Sequence, residues 1–102
     1  MDDLRSRFVA AGGECSTWTE YSDSRAESVI RCAEGAVLYD VAGDAERSDI
    51  VKTELETNAN IRGRTHIMLS GETWLIIDRI GVIVRVMPKL HGMIQGRNGA
   101  NP

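Results

Sequence analysis

Apolar residues recur along this chain with a changing period, and the period marks out the elements. Leu4, Phe8 and Ala11 lie four and three residues apart, with Arg5 and Arg7 turned away, as on one face of a helix. Asp2 and Asp3 suit the positive end of that helix's dipole, and Gly12-Gly13 supplies its stop. Two short runs rich in β-formers follow, 15–21 and 27–33, separated by the polar cluster Ser22-Asp23-Ser24-Arg25. The turn pair Glu34-Gly35 leads into 36–41, which reads as a largely buried strand through Val37, Leu38, Tyr39 and Val41. Gly43-Asp44 breaks it. Asp44 then suits the N-cap of a helix over 45–57, with Ile50, Val51 and Leu55 on one stripe. Glu46, Asp49, Lys52, Glu54 and Glu56 take its solvent side, and 58–63 reads as a loop. The runs 64–69 and 73–78 form a hairpin across Ser70-Gly71-Glu72. The second run is apolar on both faces, which suits a central or well-covered strand.

The last apolar segment fits two patterns. The β-branched run Ile80-Gly81-Val82-Ile83-Val84-Arg85-Val86-Met87 favours strand by local propensity. Ile80, Ile83, Val84, Met87 and Leu90 also fall at helical spacing, with Asp78 placed to cap and His91-Gly92 placed to close. Pro88 removes an internal hydrogen bond unless it sits in the first turn or at a kink. Helix is the reading adopted. The expected architecture is α+β: one antiparallel sheet of about five strands with helices packed on one face, in the order α-β-β-β-α-β-β-α. A single domain over 1–95 and a flexible tail over 96–102 complete it.

The two cysteines fit the strand reading. A turn centred between Asp23 and Ser24 sets Cys15 opposite Cys32, Thr17 opposite Ile30 and Trp18 opposite Val29. A close cross-strand pair permits a disulfide, and two buried free thiols are the alternative. Two cysteines are too few for a structural zinc site, and His66 and His91 lack ligand-like spacing to them, so no metal is expected.

Taken in order, these pieces resemble a known group. The pieces are an N-terminal helix, Ala11-Gly12-Gly13-Glu14-Cys15-Ser16-Thr17-Trp18, Cys32, Val37-Leu38-Tyr39-Asp40-Val41, and a helix with Asp44 and Arg47. Leu69-Ser70-Gly71-Glu72-Thr73-Trp74-Leu75-Ile76 and Leu90-His91-Gly92 complete the series. The chain is similar over 4–92 to small actinobacterial proteins with a paired-cysteine α+β domain, often secreted or lipid-anchored. Forms without a leader would suit phages of those hosts. The resemblance implies no catalytic residues.

Composition and charge narrow the function. A chain of 102 residues, 42% hydrophobic and 26% charged, has the size and balance of one globular domain. No apolar stretch approaches the roughly 18 residues of a membrane span. A net charge of −3 argues against a general nucleic-acid binder. Met1-Asp2-Asp3-Leu4-Arg5 is not the start of a signal peptide, so the expected location is cytoplasmic, or extracytoplasmic if a leader has been removed. No phosphate-binding glycine loop, nucleophile elbow or Cys–His pair is evident, and no cofactor or catalysis is expected. Trp74 is read as a core anchor. Trp18 is read the same way, with partial exposure as the alternative. Charge is unevenly spread: residues 1–78 hold all 15 acids and 8 basic residues, whereas 79–102 hold Arg79, Arg85, Lys89 and Arg97 and no acid. The expected interaction surface is therefore Arg79, Ile83, Arg85, Met87 and Lys89, and the expected role is a non-enzymatic module for a protein partner, a host factor if the gene is phage-borne. A homodimer through the same surface and a cell-envelope accessory or ligand-binding domain are the alternatives.

Overall fold

A computed structural model describes residues 2–95. The elements run α1 (Asp2–Ala10), β1 (Trp18–Tyr21), β2 (Ser28–Cys32), β3 (Val37–Asp40), α2 (Asp44–Thr57), α3 (Ala59–Arg62), β4 (His66–Ser70), β5 (Trp74–Arg79), α4 (Ile80–Leu90) and β6 (Met93–Gln95). The class is α+β, as expected. All six strands join one antiparallel sheet in the order β1-β2-β3-β5-β4-β6.

Alternation along the central strands divides the core in two. Leu38, Ile76 and Leu69 point to one side, where they meet Leu4 and Phe8 of α1 and Val82, Ile83, Val86 and Leu90 of α4. Tyr39, Leu75, Ile77 and Met68 point to the other side, against Ile50 of α2 and Ile61 of α3. Helices thus cover both faces of the sheet rather than one. The cause lies in β5, whose Trp74, Leu75, Ile76 and Ile77 are all buried and so need cover on each side. The expected count of about five strands becomes six, because Met93–Gln95 pairs with β4 after Gly92.

Several boundaries also differ. Helix α2 begins at Asp44, with Gly43 as its cap. The Asp44 carboxylate pairs instead with Arg47 at 2.8 Å. Within the expected loop 58–63, Asn58 accepts from the N–H groups of Asn60 and Ile61 at 2.9 and 3.2 Å and starts α3. Asp78 lies within β5, one residue before its end, rather than capping α4, whose N-cap is Arg79. His91 closes α4 in the left-handed conformation, φ 58°, its N–H donating to Met87 O. Pro88 sits inside α4, in its last turn, and lacks the N–H that would continue the bonding there. The expected tail 96–102 and Arg97 lie outside the described residues.

Candidate interaction surface

Helix α4 sorts the expected surface residues by its own period. Ile83 is fully buried in the core, and Met87 is half-buried against it. Both drop out of the surface, because positions 82, 83, 86 and 90 all turn toward the sheet. Arg79, Arg85 and Lys89 are exposed, and they are joined by Val84, 56% exposed, and Ile80, 37% exposed. Arg79 faces Glu14 at 4.0 Å and Asp78 at 3.7 Å. The stem of Arg85 lies across Gly12, where an added Cβ would stand 3.0 Å from Arg85 Cδ.

Just before α4, Asp78 is a buried carboxylate. Its Oδ1 accepts from the Arg79 N–H at 2.7 Å. Burial pushes its carboxyl above the usual range, while the Arg79 hydrogen bond and charge, and the nearby His66, pull it back. The two side chains leave the sheet on opposite faces: Asp78 pairs with Ile67, and His66 pairs with Arg79. The His66 Nδ1 instead lies 3.0 Å from Thr65 Oγ1.

At the opposite edge of the sheet, β1 is exposed along its whole length. Trp18 is 43% exposed rather than a core anchor, and Tyr21 is 48% exposed. Trp74 is buried, as expected. The Arg5 guanidinium lies 4.0 Å from the Trp18 ring centre, and that of Arg31 lies 5.2 Å from the Tyr21 ring. Sequence reasoning overlooked this edge. The available signal was the run Trp18-Thr19-Glu20-Tyr21, which lacks the apolar alternation of a half-buried strand.

Cys15 and Cys32 are disulfide-bonded, with Cα atoms 4.9 Å apart. The register that motivated the pair is different, however. Trp18 stands opposite Cys32, and Tyr21 opposite Val29. The connection centres on Arg25, which clasps Asp23 through its backbone N–H at 2.9 Å and its guanidinium at 2.8 Å. That clasp holds the Asp23 carboxyl below its ordinary value. Cys15 therefore lies in the segment ahead of β1 and reaches the last residue of β2. It lines a depression of about 400 Å³ together with Arg5, Val9, Glu14 and Glu34.

Among the described residues, no group of three or more His, Cys, Asp or Glu side chains is placed to hold a metal ion. No described helix is long and apolar enough to cross a membrane. Comparison with protein-family models, curated proteins and solved structures returned no match.

Proposed function

We propose that this chain is a non-catalytic protein-interaction module that docks a partner on the outer side of α4. The observation that carries the reading is Val84, exposed one turn from exposed Ile80 and flanked by Arg85 and Lys89, in a segment that holds no acid. An apolar pair edged by cations suits a partner surface that sets an apolar spot among carboxylates. The basic segment, set against an acidic remainder, would also steer such a partner to this end of the molecule. If the gene is phage-borne, the partner is a host factor.

Affinity capture from actinobacterial lysate with wild type, Val84→Asp and Arg85→Glu tests the reading. One defined protein should bind wild type, weaken as salt rises and be lost with both variants. Both positions are exposed, and circular dichroism checks that the fold survives. A lysate in which no protein distinguishes wild type from the variants removes the proposal.

A second reading, an accessory domain of the cell envelope, is favoured by the Cys15–Cys32 bond, since buried thiols in a reducing cytoplasm usually stay free. Alkylating free thiols in intact producing cells, before any reduction, tests it. Both cysteines should resist the reagent. Full alkylation rejects this reading.

A further inference from the structure

We propose that two copies of the chain associate through the outer edge of β1, antiparallel about a two-fold axis at Thr19, so that their six-stranded sheets become continuous. The hydrogen-bond pattern says which backbone groups face outward. The Ala33 N–H donates to Thr17 O at 2.9 Å. Bonded and non-bonded pairs alternate along an antiparallel ladder, so Thr17, Thr19 and Tyr21 direct their main-chain groups at β2. The far side of β2 agrees. The Cys32 N–H donates to Ala36 O at 2.8 Å, which turns the main-chain groups of Ile30 and Cys32 toward β3 and those of Val29 and Arg31 toward β1. Trp18 and Glu20 are left with their N–H and C=O groups pointing out from the sheet.

A second copy satisfies all four of these groups at once. A two-fold axis normal to the sheet keeps each face continuous, so only residues of like parity stand opposite each other. Centring on Thr19 sets Trp18 against Glu20 of the second copy, twice, in bonded pairs. Centring on Glu20 would bring two carboxylates face to face, which is unfavourable. Centring on Trp18 would send Glu20 past the end of the opposing strand.

The Thr19 register also brings opposite charges together. Trp18 and Glu20 share the sheet face of their ladder partners Cys32 and Ile30, the face that α1 covers. Each Glu20 carboxylate therefore comes beside a Trp18 ring that already carries the Arg5 guanidinium. No lysine and no proline guards this edge of 4 residues against pairing. Its single charge is the one that finds a cation. This assembly does not depend on the reading of α4, which packs on β4 and β5 in the other half of the sheet.

Thr19→Cys tests the register, because the two native cysteines are occupied with each other. At the close, non-bonded pair on the axis, the two new thiols would lie within disulfide reach. Under mild oxidation the variant should give a covalent dimer on a non-reducing gel, far faster than the exposed control Glu72→Cys. In sedimentation equilibrium, wild type should show reversible dimerisation. Glu20→Arg should weaken it by about tenfold, and adding Arg5→Glu to that variant should restore it. A chain that stays monomeric up to about 1 mM overturns the proposal. So does a dimer that withstands Glu20→Arg, or cross-linking no faster than the control.

Discussion

At the residue scale, two carboxylates give the protein opposed responses to pH. Asp23 is held below its ordinary value by Arg25, so its contribution is present above the usual carboxylate range and is lost as pH falls through the depressed native value. Asp78 is held above its ordinary value by burial, so the native state keeps that proton more tightly than the unfolded chain does. Its ionisation therefore costs stability as pH rises from the ordinary value through the raised one. Asp78→Asn should gain on wild type as pH climbs from about 4 to 7, measured by urea midpoints, and a difference that stays flat with pH would refute this account of Asp78. A second residue prediction rests on close packing. A Cβ at Gly13 would stand 2.3 Å from the ring of fully buried Phe8. Gly13→Ala should cost about 1–3 kcal/mol in urea unfolding, because the ring has nowhere free to move. Neither effect was readable beforehand. By sequence, Asp78 suits a helix cap and Gly13 a simple stop, since the sequence does not say which side chain will lie above a glycine.

At the element scale, Asn58 starts α3 by accepting from two backbone N–H groups. Asn58→Ala should cost about 1 kcal/mol in thermal or urea unfolding, and a neutral result would mean that packing of Ile61 alone holds that turn. This helix of 4 residues is too short to carry a period, which is why 58–63 reads as a loop in the sequence. The same brevity hid β6, with 3 residues. Helix α4 went the other way. Its β-branched residues argue for strand, yet the spacing of Val82, Ile83, Val86 and Leu90 prevailed, because one helix stripe buries all four at once. The β1–β2 register differs from the expected one because the clasp of Asp23 by Arg25 makes a wider connection than a tight turn between Asp23 and Ser24. The cysteines met all the same, since the segment ahead of β1 is free to curl back toward β2.

For the whole molecule, the class and the single antiparallel sheet were legible because hairpins and turn residues are local signals. Helix cover on both faces was written in the two-sided apolar run of β5, whose meaning depends on where the strand lies in the sheet. The candidate surface was legible by charge and not by side chain: Arg85 and Lys89 stay outside while Ile83 goes in, a division only the helix's rotation decides. The disulfide should contribute roughly 3 kcal/mol, read as the loss of thermal stability on adding a reductant. A melting temperature indifferent to reductant would mean that packing around Phe8 and Leu38 already holds this corner. The bond also sets how the protein bears mechanical load. A pull on the N-terminus passes from Cys15 straight to Cys32 and skips the 17-residue step between them, so β1 is never stretched while the bond stands. In an optical trap, reduction should add about 6 nm of contour length to full extension.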